Sequence, residues 1–151
     1  TPTAPLALRG EDEQRTLHET FRLMPTGDEF LLQGFVGDGW EDVYRFTLQE
    51  ESHADYEQAN WYTATRPGAM FANNLIVTQP APGMRRTLFN RYFTERHLDG
   101  SRERRVLHTR SDYDTVLREV FGLALTADDL DAVMAVVAKH YPDGPYAGNF
   151  S

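Results

Sequence analysis

Glycine-rich turn signals divide the first part of the chain into segments that are too short for ordinary helices. Pro25-Thr26-Gly27-Asp28 and Gly37-Asp38-Gly39 separate runs at residues 18–24, 29–36 and 40–48. Runs of this length joined by tight glycine turns are typical of antiparallel strands. The pattern therefore predicts a three-stranded meander after an irregular entry at residues 1–15. Its last strand would place four apolar side chains on one face: Trp40, Tyr44, Phe46 and Leu48.

A helical segment is predicted after the meander. Ser52 can cap a helix, Asp55 follows three residues later, and Tyr56, Ala59 and Asn60 share a helical face. The helix should end before Arg66-Pro67-Gly68, because proline and glycine force a turn there. A boundary between a barrel-like part and a second subdomain is expected at this point.

The second part of the chain again begins with extended segments. We expect a strand at residues 74–78, a turn at Pro80-Ala81-Pro82-Gly83 and one long extended run at residues 86–98. Asp99-Gly100 is a strong hairpin signal and should lead into a strand at residues 102–109. These segments predict a small antiparallel sheet.

Two helices should follow this sheet. The first is predicted to be capped by Ser111 and closed by Gly122, and the second to be capped by Thr126. The last ten residues, 142–151, are rich in glycine and proline and are expected to form an irregular tail. The fold class is therefore α+β, with antiparallel strands followed by a small antiparallel sheet that two carboxyl-terminal helices cover.

Composition excludes several functions. The net charge is −8, which argues against a nucleic-acid partner because phosphate binding needs clustered cations. Arginines do cluster at Arg85-Arg86 and again at Arg102, Arg104 and Arg105. We interpret these as solvated strand faces, with a phosphate-bearing ligand as the alternative. No apolar run is long enough to span a membrane and no signal peptide is evident, so a cytoplasmic protein without a membrane partner is expected.

The 151 residues include no cysteine, which excludes a thiol nucleophile and thiolate metal ligands within them. The five histidines show no zinc-binding spacing, and no serine-hydrolase or phosphate-loop motif is present. We therefore predict no catalytic residue in this chain and no metal site. The start at Thr1, without an initiator methionine, is interpreted as the result of cutting or processing.

The most unusual segment runs from Asn60-Trp61-Tyr62-Thr63 to Phe71. It joins dense aromatic residues to a Pro-Gly turn that ends in the apolar pair Met70-Phe71. Clefts at such boundaries suit aromatic ligands because flat rings bury well against Phe and Met. Ordinary core and turn packing is the alternative interpretation.

The same segment carries a family resemblance. Tyr44-Arg45-Phe46-Thr47-Leu48, then Asp55-Tyr56, then Asn60-Trp61-Tyr62-Thr63-Ala64-Thr65 and Phe71 resemble bacterial arylamine N-acetyltransferases. The opening residues 1–6 are similar to the segment after that family's Asp-Val-Gly-Phe-Gly-Gly strand. The chain departs from the family at Gly68-Ala69-Met70, where small hydroxyl or His residues are common.

The resemblance implies a division of the chain and a reaction. Residues 1–50 would be the carboxyl-terminal part of a β-barrel domain, 51–66 a linking helical segment and 67–151 an α/β lid domain. Similar enzymes transfer acetyl from acetyl-CoA, as co-substrate, to arylamines or hydrazines by a ping-pong mechanism. Their Cys-His-Asp triad would precede the position that matches Thr1, so an amino-terminal part of the same enzyme is implied as a partner.

Binding residues follow from the resemblance alone. It implies that Phe71 lines the acceptor and pantetheine pocket, with Gly68 and Met70 beside it. Arg85 or Arg86 could contact CoA phosphates, by charge. Exposed sheet edges make a homo-oligomer an additional expectation.

Two other functions stay open on the sequence. One is a non-catalytic ligand-binding or interaction module derived from the same fold. The other is a metal-dependent or hydrolytic enzyme that uses scattered His and Asp residues.

Overall fold

The computed structural model describes residues 2–8 and 12–141, so the predicted tail at residues 142–151 lies outside the described residues. The fold contains two four-stranded sheets and a small number of helices, which confirms the α+β class. The first sheet has the order β1-β2-β3-β4 and the second has the order β5-β6-β7-β8.

The first sheet is an antiparallel meander of β1 (Gln14–Arg15), β2 (Thr20–Thr26), β3 (Glu29–Val36) and β4 (Gly39–Thr47). The three predicted strands are confirmed. The two-residue strand β1 lies in the entry that was predicted to be irregular, and it pairs with the start of β2. The core of this sheet consists of three buried side chains: Phe21, Leu23 and Leu32.

A β-bulge in β4 changes which face of the sheet its side chains lie on. Leu32 pairs with Tyr44, whereas the next residue, Gln33, pairs with Asp42, so Val43 is the extra residue. An extra residue inverts the alternation of side chains between the two sides of the bulge. The prediction that Trp40 shares a face with Tyr44 and Phe46 is therefore wrong, and Leu48 lies beyond the end of the strand.

The two faces of the first sheet carry different kinds of side-chain contact. Arg22 Nε donates to Gln33 Oε1 at 2.8 Å, and Gln33 Nε2 donates to Asp42 Oδ1 at 2.7 Å. The Arg22 guanidinium also lies 4.3 Å from the centre of the Trp40 ring. The face of Trp40 is therefore a polar ladder, while Phe30 and Phe46 stack at 5.6 Å on the opposite, core-facing side.

The second sheet consists of β5 (Ile76–Ala81), β6 (Met84–Phe89), β7 (Tyr92–His97) and β8 (Arg102–Val106). Its strands are joined by short turns, which only antiparallel neighbours allow. The hairpin at Asp99-Gly100 is confirmed. The single extended run predicted for residues 86–98 is wrong, because a two-residue turn at Asn90-Arg91 divides it.

The missed turn depends on Asn90. This residue has a φ of 51°, a conformation that asparagine adopts more readily than most non-glycine residues. Its Oδ1 accepts from the backbone N–H of Leu75 at 3.0 Å, and its Nδ2 donates to Asn74 Oδ1 at 2.8 Å. Contacts with residues 15 and 16 positions away thus hold a turn that the local sequence does not signal.

The helices are α1 (His53–Thr65), α2 (Met70–Asn73), α3 (Arg110–Thr115) and α4 (Ala127–His140), and a π-helical turn at Val116–Val120 continues α3. Thr126 caps α4, as predicted. Ser111 was the wrong cap for α3, because Thr109 accepts from the Asp112 backbone N–H and Asp112 reciprocates in a capping box. Gly122, at a φ of 71°, follows the π turn.

Helices α3 and α4 contribute to the larger apolar core. Leu88 and Phe93 from the second sheet join Tyr113 and Leu117 from the α3–π segment and Leu130 from α4. Phe93 and Phe121 meet edge to face with ring centres 5.9 Å apart. The prediction that two late helices cover the second sheet is consistent with this core.

Contacts divide the chain into two compact units. Unit 1 comprises the chain up to Asp55 together with Thr78–Arg86 and Thr94–Glu103, and unit 2 comprises Tyr56–Val77, Thr87–Phe93 and the chain from Arg104. The division of the sequence at residues 50 and 66 stays a prediction.

The turn at Gly100 has no room for a side chain. Gly100 has a φ of 85°, and a Cβ added there would lie 2.4 Å from the Gly37 carbonyl oxygen. Gly83 has a φ of 78° but nothing within 4 Å of its Cβ position. We expect Gly83→Ala to cost about 1 kcal/mol of unfolding free energy and Gly100→Ala at least about 2 kcal/mol more, because only the second adds a backbone clash. Urea unfolding measures both values, and equal losses would contradict the close approach.

Candidate functional site

Helix α1 holds aromatic side chains in solvent. None of its residues is buried, and Tyr56, Trp61 and Tyr62 are all exposed, Trp61 to 68%. Its start is fixed locally, since Ser52 Oγ donates to Asp55 Oδ2 at 2.7 Å. Large exposed aromatic rings on an otherwise polar helix indicate a surface suited to a ligand or partner.

The predicted binding residues lie on the turn that follows α1. The Ala69 N–H donates to the Arg66 carbonyl at 3.0 Å, and Gly68 has a φ of 77°, so Arg66 to Ala69 form a type II turn with Pro67 and Gly68 at its centre. Met70 and Phe71 then begin α2. The structure thus places Gly68, Met70 and Phe71 side by side along one turn of chain.

Exposure separates the residues of this turn into two kinds. Ala69 is only 2% exposed and anchors the segment, whereas Met70 is 51% and Phe71 63% exposed. A thioether and a phenyl ring are therefore presented to solvent next to each other. Such a pair can contact an apolar or aromatic ligand without rearrangement of the core.

A network of amide side chains holds the base of this segment. Asn73 Nδ2 donates to the Ala69 carbonyl and Asn74 Nδ2 to the Met70 carbonyl, both at 2.8 Å. Asn74 is bonded in turn to the buried Asn90. These bonds restrain the backbone that carries Met70 and Phe71.

A second candidate was missed at the level of sequence. His18 is fully buried, its Nδ1 lies 3.0 Å from Thr3 Oγ1 and its Nε2 lies 3.4 Å from Glu19 Oε2. A hydroxyl, an imidazole and a carboxylate in this order suggest a hydrolytic triad. The signal was weak in the sequence, because Thr3, His18 and Glu19 form no known motif.

Arg85 excludes the hydrolytic interpretation. Its Nη2 lies 3.0 Å from His18 Nε2 and 2.8 Å from Glu19 Oε2. A guanidinium only donates, so His18 Nε2 accepts and Nδ1 carries the proton that is donated to Thr3. The Thr3 hydroxyl is consequently an acceptor from the ring and is not activated as a nucleophile. The cluster is a buried structural network.

Burial governs the ionisation of this network. It raises the pKa of Glu19, and the positive charge of Arg85 opposes that rise. Burial likewise lowers the pKa of Arg85, which Glu19 partly restores. Two charges that are costly to bury thus compensate each other.

The arginine side chains of β8 make different kinds of contact. Arg104 lies 4.0 Å from the centre of the Tyr92 ring, and Arg105 lies 4.8 Å from that of Phe93. These two guanidinium groups therefore pack on aromatic faces. Arg102 makes no ion pair with any described residue and lines a cavity of about 210 Å³.

The described residues contain no group of three or more His, Cys, Asp or Glu side chains that could hold a metal ion. No helix within residues 2–8 and 12–141 has the length and apolar character that crossing a membrane requires.

A family model for N-acetyltransferases matches residues 1–130. The arylamine N-acetyltransferase of Escherichia coli K12 is 33% identical over 148 residues, covering 93% of this chain and 53% of that protein. The arylamine N-acetyltransferase of Mycobacterium tuberculosis H37Rv is 34% identical over 123 residues, covering 82% of this chain and 43% of that protein.

Solved structures agree with the sequence relatives. The Mycobacterium marinum arylamine N-acetyltransferase in complex with CoA has a TM-score of 0.80 and 29% identity, covering 92% of this chain and 51% of that one. The enzyme from Salmonella typhimurium has a TM-score of 0.73 and 32% identity, covering 89% and 52%. This chain therefore belongs to the arylamine N-acetyltransferase family. It spans about half the length of the curated relatives it matches.

The two adjacent arginines of β6 provide a matched test of the buried network. The side chains of Arg85 and Glu19 are 17% and 11% exposed, whereas those of the Arg86–Glu95 pair are 29% and 24% exposed. We expect Arg85→Met to cost about 3 kcal/mol of unfolding free energy, because it leaves a buried carboxylate without its partner. Arg86→Met should cost about 1 kcal/mol. Chemical unfolding at neutral pH measures both, and a smaller loss for Arg85→Met would refute the structural role.

In the exposed turn, by contrast with Arg85, we expect the loss of a candidate binding side chain to leave the unfolding free energy nearly unchanged. Phe71→Ala should change the unfolding free energy by no more than about 0.5 kcal/mol, because the ring contributes little to the core. Ala69→Leu should cost about 1–3 kcal/mol by overpacking its buried site. Thermal and urea unfolding distinguish the two. A large loss for Phe71→Ala would mean that its ring is already used within the chain and is not available to a ligand.

Proposed function

We propose that this chain is the carboxyl-terminal part of an arylamine N-acetyltransferase that transfers acetyl from acetyl-CoA to arylamines or hydrazines. The observation that carries the proposal is the 33% identity to the Escherichia coli enzyme across 93% of the chain. The CoA bound to the Mycobacterium marinum relative supports acetyl-CoA as the co-substrate.

The proposed reaction is a ping-pong acyl transfer. A cysteine thiolate attacks the thioester of acetyl-CoA, the C–S bond to CoA breaks, and CoA leaves as its thiol. The amine then attacks the acetyl-cysteine, and the thiolate is released as the amide forms. A histidine held by an aspartate accepts and returns the protons. These 151 residues contain no cysteine, so the thiol is assigned to residues other than these, and the family resemblance implies the same for the histidine and the aspartate.

The part played by this chain is binding and shielding. Phe71 and Met70 form an apolar wall along which the acceptor amine and the pantetheine arm lie, and Gly68 gives the turn its left-handed geometry. An apolar wall also keeps water from the acetyl-thioester, which hydrolysis would otherwise consume. The exposure of both side chains supports this role.

The remaining surfaces suit an amino-terminal part of the same enzyme as the partner. The four-stranded first sheet is too small to close a barrel, and it supplies the second half of a barrel domain in this proposal. The exposed aromatic residues of α1 provide further apolar surface for that partner. The enzyme is cytoplasmic, acts on xenobiotic amines and can self-associate through open sheet edges.

The isolated chain should be inactive. We expect no acetyl-CoA-dependent acetylation of 4-aminobenzoate or of isoniazid by the purified 151-residue chain, because it lacks a nucleophile. Release of free CoA thiol and chromatographic detection of the acetylated amine measure turnover. A full-length bacterial relative serves as the positive control. Turnover by this chain, with intact mass showing no longer species, would overturn the assignment of the triad elsewhere.

The gene distinguishes this proposal from a stand-alone binding module. An upstream segment in the same reading frame that encodes the cysteine of the triad would support the acetyltransferase. A reading frame that begins near Thr1 would favour the module. Intact mass spectrometry of the native protein gives the corresponding answer at the level of the polypeptide.

A further inference from the structure

A cavity of about 210 Å³ lies within unit 1 beside the hairpin of β7 and β8. Arg96, His97 and Arg102 line it from the hairpin, and Glu19 and Glu41 line it from the first part of the chain. The volume corresponds to about seven waters at the density of the liquid. It is therefore large enough for a small ion with part of its hydration and too small for a drug-sized ligand.

The positive charges of this cavity are not held in direct ion pairs within the described residues. Neither Arg96 nor Arg102 forms an ion pair with any residue in the described part of the chain. The buried carboxylate nearby, Glu19, is occupied by Arg85 at 2.8 Å. Glu41 is exposed and is the remaining acidic residue on the lining.

Arg96 acts on both members of the buried ion pair, because its positive charge also lowers the pKa of Glu19 and so favours the ionised carboxylate. Burial is the main cause of the lowered pKa of Arg85, and the positive charge of Arg96 lowers it further. Guanidinium groups that line one partly closed space are suited to an anion, because their planar forks match the oxygen atoms of phosphate.

We propose that this cavity is a binding site for a phosphate group, held by Arg96 and Arg102. Gly37 and Gly100, which approach each other closely, are also part of its lining. The site does not depend on acetyl transfer. Its ligand is either inorganic phosphate or a phosphate of a larger molecule such as CoA.

Matched variants test the site in the 151-residue chain. Inorganic phosphate is titrated by calorimetry at constant ionic strength, kept constant with sodium chloride. We expect saturable binding that weakens at least tenfold in Arg96→Gln and in Arg102→Gln. Arg104→Gln, which removes the same charge from the same strand at the Tyr92 ring, should bind as the unaltered chain does. Glu41→Gln should bind more tightly, because it removes the opposing charge.

Stability provides a second measurement that separates binding from folding. In phosphate-free buffer the midpoint of thermal unfolding should change little in Arg96→Gln, since the change removes both the repulsion of Arg85 and the attraction to Glu19. Added phosphate should raise the midpoint of the unaltered chain and leave that of Arg96→Gln unchanged. The proposal is overturned if phosphate does not bind saturably, or if Arg104→Gln loses as much affinity as Arg102→Gln.

Competition identifies the source of the phosphate group. CoA and dephospho-CoA, which lacks the 3′-phosphate, are titrated against bound inorganic phosphate. Displacement by CoA but not by dephospho-CoA assigns the site to the 3′-phosphate of that molecule. Absence of displacement by either assigns it to free phosphate. The proposed acetyl transfer is tested by turnover, so either proposal can fail alone.

Discussion

The contact between Arg85 and the His18–Glu19 pair is the interaction on which unit 1 depends. It joins residues 67 positions apart in the sequence, one from the start of the first sheet and one from β6 of the second. Because all three side chains are largely buried, none can be removed without leaving a polar group without its partner. The same contact also affects the charge balance nearby, since Glu19 is ion-paired with Arg85 while Arg96 and Arg102 form no ion pair within the described residues.

Local signals in the sequence predicted the elements that local contacts create. The bounds of β3 match the predicted run at residues 29–36, and Thr126 caps α4. The errors came from interactions at a distance. Asn90 turns the chain because Asn74 and Leu75 bond to it, and the bulge at Val43 is visible only in the pairing of β3 with β4. Ser111 was predicted to cap α3 because of its hydroxyl, but Thr109, two residues earlier, has an equivalent hydroxyl and is the residue that accepts from the Asp112 N–H.

The candidate site likewise combines features that the local sequence determines with features that distant contacts determine. The position of Gly68, Met70 and Phe71 on a Pro-Gly turn could be read from the sequence, because proline and glycine determine its backbone. Ala69 is buried and Phe71 is exposed, and this difference depends on which residues surround each side chain in the folded chain. The Thr3–His18–Glu19 arrangement is visible only in the structure, where the three groups lie together. The structure also shows that Arg85 keeps the proton on His18 Nδ1, which is the wrong nitrogen for hydrolysis.

The bulge in β4 has a consequence for how copies of the chain can associate. β4 is the last strand of its sheet within the described residues, so its outer edge is open to another strand. The extra residue at Val43 interrupts the regular spacing of main-chain donors and acceptors along that edge. An incoming strand could match the segment before the bulge or the segment after it, but not both in one register. Growth into extended cross-β stacks through this edge is therefore disfavoured.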